Sequence, residues 1–554
     1  MRNPFLVIIL SLLVLIVSPV KSQDKLTKIL QEELTRNYTI MQGLDVPVYY
    51  ISLRVDIQTL HNISSSFGAV SNNAYYQGRN MTITMRVGNR NVDNLHYTGS
   101  MNNNVVVSLP DEDIEEDIKL TLWRGLQEAY AEAKDALTSN RAEYTTRPRE
   151  DDTSPDFSIE EVSTYSEPEM PFDALGYSEE NTISSINEIS RILADNRDIL
   201  VNFVNFQVVL AREYFLDTDG AVIEQNNPSV RLYTSAMVMA DDGMALQDYK
   251  TYYGRKVSDL PAFEQIESDT RTMSKTLSAL KISPKIDSYT GPVMLSGEVS
   301  GVFFHEFLGH RVEGARMKSG RDAQTLKKKV GEYVLPKRLS VIFDPTISSY
   351  DRFLLSGSYI YDDEGIRGQR VEVIKKGVLK NFLMSRVPIE GFSKSNGHGR
   401  GNLHIGTETR QSNMLIESSK PVSGEQLTKM FLKELKKRDL KFGYRIDKVS
   451  GGLTMTSTAS ANAFYLNPLV VYRVYADGRP DELVRGINIV GTPLAAFSQI
   501  IAESDSLDVF NGMCGALSGS VPVAAVAPAM LVKELEFQKT GDNQKIEPYI
   551  LERP

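Results

Sequence analysis

The chain has 554 residues, of which 41% are hydrophobic and 24% are charged, and its formal net charge is −10. This composition, with 37 Gly, 23 Pro and a single Cys, excludes a wholly disordered, collagen-like or disulfide-scaffold protein. At about 150 residues per domain, the length favours two to four domains. Because Cys514 is the only cysteine, no internal disulfide bond can form.

The N-terminus has the pattern of a secretory signal peptide. Arg2 precedes an apolar run over residues 5–17, and a cleavage pattern ends at Ser22. The alternative is an uncleaved membrane anchor, but the run is shorter than the roughly 20 apolar residues that a spanning helix needs. We therefore predict a signal peptide over residues 1–22, an exported protein that is periplasmic or secreted, and no membrane span after cleavage.

The net charge and the single cysteine restrict the binding partners of the chain and the roles of Cys514. Cleavage would remove Arg2 and Lys21 and take the net charge from −10 to −12, so we predict no nucleic-acid partner. An unpaired cysteine in an exported chain is unusual, since exported proteins often use disulfides. Cys514 is therefore a buried small hydrophobic residue, a nucleophile or a metal ligand.

Alternating helix and strand patterns predict an α/β-type N-terminal domain over residues 23–284. A polar, acidic segment with four prolines, near residues 145–173, is predicted to be an extended linker or surface crossing. The predicted helices are residues 24–37, 113–137, 179–199 and 260–280, and the predicted strands are residues 46–60, a cluster up to about residue 96, 202–216 and 230–240.

Strand patterns dominate the second half, so we predict a β-rich C-terminal domain over residues 285–554 and an α+β protein overall. The clearest helix is residues 423–437, with Ser423 as its cap and Gln426 three residues later. The predicted strands are residues 339–343, 368–375, 379–384 and 469–476.

Residues 292–314 carry several chemically active side chains close together. Ser296 precedes apolar residues at helical spacing, which predicts a capped helix running into His305, Glu306 and His310. The familiar zinc-protease spacing puts two histidines four residues apart, about 40° around the helix, with a glutamate as base. Here the spacing is five residues, about 140° apart, so a regular helix would not direct both rings at one metal ion.

Two interpretations of this spacing are open: coincidence, or a helix that is distorted or ends inside the motif. Gly309 is a natural place for such a departure, because glycine tolerates conformations that other residues avoid. A metal site also needs a third protein ligand, for which other histidines, carboxylates and Cys514 are candidates. A thiolate would favour zinc over magnesium or calcium. The Gly-rich residues 510–523 around Cys514 predict a loop at the end of a strand.

Several short blocks in the C-terminal half carry a family resemblance through their order and spacing. They are Tyr289-Thr-Gly-Pro-Val-Met-Leu-Ser296, His305-Glu-Phe-Leu-Gly-His310 with Glu313-Gly314, Tyr361-Asp-Asp-Glu-Gly365 with Gln369 and Lys376-Gly-Val-Leu-Lys380, Ser395-Asn-Gly-His-Gly-Arg400, Val484-Arg-Gly486 with Ile489-Val-Gly491, and Cys514-Gly515 with Ser520-Val-Pro-Val523. Together these blocks make the chain resemble the TldD/PmbA family of metallopeptidases.

This resemblance implies that His305, His310 and Cys514 are zinc ligands and that Glu306 activates the attacking water. It also implies a dimer around an enclosed cavity, either a homodimer or a heterodimer with a related subunit. Better-known members of the family have no signal peptide, so the chain would represent an exported, TldD-like branch with an intact zinc motif.

The chain departs from the family pattern after the block at residues 395–400. Where members usually carry an Arg-, His- and Pro-rich stretch, three residues correspond: His404, Arg410 and Asn413. His398, Arg400 and His404 are candidate substrate-binding or oxyanion-stabilising residues near the metal. The alternative is a solvated Gly-rich loop.

We therefore predict a zinc-dependent endopeptidase that uses Zn²⁺ as its cofactor and Glu306 as its catalytic residue, and whose partners are peptides or unfolded polypeptide segments. One alternative is a catalytically inactive binding or scaffold subunit of a peptidase complex. A second is a cysteine hydrolase that uses Cys514 with a histidine.

Overall fold

The computed structural model describes residues 24–96, 104–146, 152–318, 324–402, 405–457, 463–492 and 498–540. The predicted signal peptide over residues 1–22 lies outside this range, and so does His404. No helix within the described ranges is long and apolar enough to cross a membrane.

The N-terminal part contains one eight-stranded sheet with the order β3-β2-β1-β6-β7-β5, in which β4 also pairs with β2 and β8 with β7. Most neighbouring pairs are antiparallel, and β1, β2, β6 and β7 are long. In chain order the elements are α1 (Lys25–Met41), β1 (Val48–Ser66), β2 (Ala69–Asn89), β3 (Val92–Asp93), β4 (Asn104–Ser108), α2 (Glu115–Thr146), β5 (Thr164–Ser166), α3 (Glu179–Ala194), β6 (Ile199–Asp217), β7 (Val222–Met239), β8 (Ala245–Gly254) and α4 (Phe263–Ile282).

Four helices cover one face of this sheet. Side chains of a strand alternate between its two faces, and even-numbered residues of β6 enter the buried clusters under α1 and α2 and under α3 and α4. Val204 and Val208 are fully buried under α3 and α4, and Leu216 is buried near α1. The other face of β7 and β8 is left to meet the C-terminal part.

The C-terminal part is built on an eleven-stranded sheet with the order β14-β13-β10-β17-β23-β21-β19-β18-β9. Strand β9 also pairs with β23, which closes β9, β18, β19, β21 and β23 into a ring. The elements are β9 (Tyr289–Leu295), α5 (Gly297–Phe307), β10 (Leu339–Phe343), β11 (Ser349–Tyr350), β12 (Phe353–Leu354), β13 (Val371–Lys375), β14 (Val378–Leu379), β15 (Gly399–Arg400), β16 (Glu408–Thr409), β17 (Asn413–Ser418), α6 (Gly424–Lys437), β18 (Phe442–Thr454), β19 (Phe464–Tyr475), β20 (Glu482–Val484), β21 (Ile487–Gly491), β22 (Ile500–Ala516) and β23 (Gly519–Lys539).

Helix α5 is the central helix of this part. Ten of its eleven residues are buried, and it packs against β18, β22 and β23. Its phenylalanines form the middle of the largest apolar cluster, where Phe303 stacks on Phe307 at a ring-centroid distance of 4.5 Å. A helix that is apolar on nearly all sides is typical of a protein core. Because α5 is packed on all sides, the position of its C-terminal end is fixed.

The predicted fold class is confirmed: an α/β-type N-terminal domain precedes a β-rich C-terminal domain. The predicted division after residue 284 stays a prediction. Part of the segment assigned to a surface crossing is buried, because Phe157 packs under the guanidinium groups of Arg86 and Arg386. Helix α2 also continues to Thr146, beyond its predicted end at residue 137.

Candidate active site

The end of α5 brings His305 and His310 together. The helix begins at its cap Ser296, whose hydroxyl accepts a hydrogen bond from the Val299 amide at 3.2 Å, and it ends at Phe307. A 3₁₀ turn over Gly309–Arg311 follows. The helix therefore ends inside the motif, and the change of direction leaves the two rings 5.1 Å apart between centroids.

Cys514 completes a cluster with these histidines. One ligand atom from each of the three side chains lies within 4.8 Å of the others, and all three residues are buried. Cys514 Sγ lies 3.5 Å from His310 Nε2. The prediction of a loop at Cys514 is wrong: the residue lies inside β22 and pairs with Val521 of β23, close to the turn that joins the two strands.

Arg410 anchors the hairpin that carries Cys514. Its guanidinium is almost fully buried and donates hydrogen bonds to the carbonyls of Cys514 and Gly519 and to the Ser518 hydroxyl. The cation also lies 3.9 Å from the Glu313 carboxylate. Arg410 thereby ties the β22–β23 turn to the chain that follows α5.

Glu313 fixes the orientation of the His310 ring. Both carboxylate oxygens lie 3.1 Å from His310 Nδ1, and Arg316 donates to the same carboxylate at 2.7 Å. When its ring is neutral, a histidine that donates Nδ1–H to a carboxylate presents its Nε2 lone pair to the opposite side, which here is the side of Cys514. The sequence pattern assigns no role to Glu313, although its position three residues after His310 is a signal for such a contact.

The charges of the cluster act on one another. Burial raises the pKa of the Cys514 thiol, but the charges of His305 and His310 outweigh burial and hold it well below its usual value. Burial lowers the pKa of His310, while Glu313 and Cys514 raise it to about 10. Burial raises the pKa of Glu313, but His310 and Arg316 lower it to about 2. The cluster therefore favours a thiolate.

The donor set fits a zinc ion. Two imidazole nitrogens and one thiolate sulfur are ligands that zinc accepts, and soft thiolates disfavour magnesium and calcium. Three such donors within 4.8 Å suffice for one ion. The Glu313 carboxylate hydrogen-bonds to the His310 nitrogen that faces away from Cys514, as a carboxylate or carbonyl usually does for a metal-binding histidine.

Glu306 lies next to this cluster on the wall of a cavity. The cavity has a volume of about 860 Å³ and is also lined by His305, His310 and Cys514. Arg311 holds the end of α5 in place by donating to the Glu306 backbone carbonyl at 2.9 Å and to the Thr454 hydroxyl at 2.8 Å. The predicted base and the three predicted ligands therefore share one cavity.

His398 and Arg400 do not line this cavity. The His398 ring is fully buried and hydrogen-bonds to Ser412 Oγ at 3.0 Å, while Arg400 donates to the carbonyls of Gln411 and Pro522. Both side chains make hydrogen bonds that hold neighbouring segments together. Their positions therefore fit neither a substrate-binding role in the cavity wall nor a solvated loop. The third candidate, His404, lies outside the described residues.

Residues 288–539 match the family model of the PmbA/TldA metallopeptidase C-terminal domain. A metalloprotease of Methanothermobacter thermautotrophicus is 27% identical over 331 residues, 58% of this chain and 65% of that protein, slightly under two thirds of its length. A zinc metalloprotease TldD homolog of Saccharolobus solfataricus is 23% identical over 365 residues, 64% of this chain and 76% of that protein.

Among solved structures, TldE from Thermococcus kodakarensis is similar in fold. Its TM-score is 0.61 at 14% sequence identity, and the match covers 92% of this chain and 99% of that chain. At this level of identity the likeness concerns the fold alone. The match nevertheless extends over both the N-terminal and the C-terminal part.

Proposed function

Because the comparisons support TldD/PmbA family membership and a metallopeptidase function, we propose that the protein is a zinc-dependent endopeptidase that hydrolyses peptides or unfolded polypeptide segments. The observation that carries the proposal is the His305, His310 and Cys514 cluster, whose ligand atoms lie within 4.8 Å of one another beside Glu306. A relative that is named a zinc metalloprotease supports the choice of metal.

Each side chain has a defined task in this proposal. A zinc ion held by His305, His310 and Cys514 would supply Lewis-acid polarisation of the substrate carbonyl and acidify the attacking water. Glu306 takes a proton from this water as its oxygen bonds to the carbonyl carbon, and passes a proton to the leaving nitrogen as the C–N bond breaks. Glu313 keeps the His310 ring oriented throughout.

The cavity suits a flexible substrate. A volume of about 860 Å³ accommodates several residues of an extended chain but no folded domain. Its walls come from both the N-terminal sheet and the C-terminal hairpin, so a substrate would lie between the two parts.

The first test combines metal analysis with hydrolysis of an unfolded protein. We expect about one zinc per chain, from one three-ligand site. Glu306→Gln should keep the zinc and lower hydrolysis by about 10²- to 10⁴-fold, because it removes the group that moves the proton. Glu425→Gln, an exposed change on α6, is the matched control and should behave as the wild type. Full activity of Glu306→Gln would refute the mechanism.

A cysteine hydrolase is the second candidate, and one contact favours it. Cys514 Sγ lies 3.5 Å from His310 Nε2, the distance range of a thiolate–imidazole pair, and the pKa of the thiol is depressed. Removing zinc distinguishes the two mechanisms. Activity that survives complete zinc removal and is then abolished by alkylation of Cys514 would favour the thiol nucleophile. Stoichiometric zinc with no hydrolysis of any unfolded substrate would favour the inactive scaffold subunit.

Export and dimerisation are separate proposals, of which the first rests on the N-terminal sequence and the second on what the family resemblance implies. The apolar run over residues 5–17 and the cleavage pattern ending at Ser22 support export. N-terminal sequencing of the protein from its native source should begin at or near Gln23. Sedimentation of the mature chain, alone and with a related subunit, distinguishes a homodimer from a heterodimer.

A further inference from the structure

One wall of the cavity is a face of the N-terminal sheet. On β7, the residues that alternate with the buried Val230, Leu232 and Val238 point away from the covering helices. The cavity-lining residues of β6, β7 and β8 are Asn205, Arg231, Tyr233, Ser235, Gln247, Asp248, Tyr249 and Thr251. Most of them are uncharged, so a single ionised group on this wall affects what the cavity can bind.

Arg231 is such a group, because its charge has no counter-ion in the part of the chain that the structure describes. Its guanidinium instead faces the ring of Tyr253, at 5.9 Å between the guanidinium carbon and the ring centroid. Two other charged groups of the cavity lining are paired: Asp248 with Lys448 at 2.6 Å, and Arg316 with Glu313 at 2.7 Å.

Because the Arg231 guanidinium is partly buried, its lack of a counter-ion among the described residues carries a desolvation cost. Burial lowers the pKa of Arg231, and Tyr253 is the group that opposes this effect. Arginine nevertheless stays protonated in proteins, so the wall keeps a positive charge that is only partly hydrated. A bound anion would relieve this desolvation.

Next to Arg231 on the same face lie two stacked tyrosine rings. Tyr233 and Tyr249 have ring centroids 5.9 Å apart and nearly parallel planes, and the Tyr249 hydroxyl is held by the Val449 carbonyl at 3.1 Å. Residues two apart on a strand are about 6.6 Å apart along it, so the rings and the Arg231 cation form one continuous surface. The rings offer apolar contact for carbon atoms that carry a charged end group.

From this arrangement we propose that Arg231 determines specificity by binding a carboxylate of the peptide substrate in the cavity. A guanidinium matches the two oxygens of a carboxylate with two parallel N–H donors. The carboxylate is either an Asp or Glu side chain or the C-terminus of the substrate. This inference rests on the proposed peptidase function and names its substrate class: peptides with an acidic group bound on the N-terminal-sheet side of the cavity.

The test uses three peptides with one backbone sequence. The first has Gln at one position and a C-terminal amide, the second has Glu and the amide, and the third has Gln and a free C-terminus. Affinity is measured in the zinc-loaded Glu306→Gln variant, and kcat/KM in the wild type, with the acidic position scanned along the peptide. We expect one acidic series to bind at least about tenfold more tightly than the neutral peptide, and the series that does so identifies the source of the carboxylate.

Variants of Arg231 then test whether this residue causes the preference for acidic peptides. Arg231→Gln should bring the ratio of acidic to neutral affinity close to one, Arg231→Lys should keep part of it, and Arg231→Glu should reverse it. Arg271→Gln, an exposed change on α4 away from the cavity, should leave the ratio unchanged. Equal affinity for acidic and neutral peptides in the Glu306→Gln background overturns the proposal, even if an Arg231 variant fails to fold. A preference that persists in Arg231→Gln overturns it as well.

The two proposals fail separately. Absence of hydrolysis by the wild-type protein would refute the peptidase function, whereas the binding ratios in the Glu306→Gln variant would still decide the role of Arg231. Conversely, hydrolysis without any acidic preference would leave the peptidase function intact and refute the inference about Arg231.

Discussion

Glu306 occupies space that a side chain at position 452 would need. A Cβ built on Gly452 of β18 would overlap the Glu306 side chain and come within 2.8 Å of Leu466 Cδ2. Glycine is therefore required here for close approach of a strand to the proposed base. Gly309 has a similar role, since a Cβ there would overlap the buried Gln411 side chain, whose amide donates to the His305 carbonyl.

Gly452→Ala tests how tightly the position of Glu306 is controlled. We expect kcat/KM to fall about 10- to 100-fold, because a small displacement of a catalytic group carries a cost of this size. The zinc content should stay near one per chain, since the three atoms nearest a Cβ at position 452 belong to Glu306 and Leu466 and not to a proposed ligand. Gly424→Ala is the matched control, because a Cβ there meets open space. An unchanged kcat/KM for Gly452→Ala would contradict the prediction.

At the scale of elements, capping residues close to each helix start made the starts of α5 and α6 predictable. Ser296 caps α5, and Ser423 and Gln426 form the expected capping box of α6. Both signals lie within four residues of the helix start, so the sequence contains all the information needed. The periodic helices of the N-terminal part and its strands β1 and β6 were predictable from local periodicity as well.

The site itself depends on contacts that no local pattern contains. His310 and Cys514 are about 200 residues apart in sequence, and they meet because α5 ends at Phe307 and β22 pairs with β23. The five-residue spacing of His305 and His310 was also compatible with a chance arrangement. Only the family resemblance assigned His305, His310 and Cys514 to one metal site. Glycines around Cys514 favoured a loop, whereas the structure has Gly512 and Gly515 inside β22. Pairing of β22 with β23, the strand that follows it after a short turn, decided the outcome.

The turn between β7 and β8 is tied to the C-terminal part by Asp242. Its carboxylate pairs with Lys285 at 2.6 Å and with Arg485 at 3.1 Å. Burial raises the pKa of Asp242, but hydrogen bonds from Lys285 and Arg485 bring it down to about 2. These ion pairs hold in place the hairpin that carries Arg231, Tyr233 and Tyr249.

Asp242→Asn should lower stability in a pH-dependent way. The folded pKa lies below the ordinary value of 3.8, so the stabilisation is full above about pH 4 and is lost as the pH falls towards 2. At about 1.4 kcal/mol per pKa unit the shift corresponds to about 2 kcal/mol, and solvent screening at these partly exposed groups reduces it to about 1 kcal/mol. Thermal melting should show a lower Tm for the variant at pH 7 and a smaller gap at pH 3. A gap that is equal at both pH values, or equal in the exposed neighbour variant Asp241→Asn, would contradict this assignment.

At the scale of the whole molecule, the cavity exists only while the N-terminal and C-terminal parts stay packed together. Arg386, which follows β14, is almost fully buried among groups of the N-terminal part. It donates to the Tyr50 hydroxyl at 3.1 Å and to Asp219 at 2.8 Å, and it lies 3.3 Å from Asp217 and 4.0 Å above the Phe157 ring. One cation thus joins strands and loops that are far apart in sequence.

Arg386→Met should destabilise the whole protein by about 3–5 kcal/mol, because removing one partner leaves Asp217 buried without its counter-ion. Burial already raises the pKa of Asp217, so the unpaired carboxylate is costly. Thermal melting should show a clear fall in Tm for Arg386→Met and a partial recovery in the double variant with Asp217→Asn, which removes the unpaired charge. Arg352→Met, an exposed change, should alter stability by less than about 0.5 kcal/mol. If the double variant is no more stable than Arg386→Met, packing around Phe157 rather than charge pairing joins the two parts.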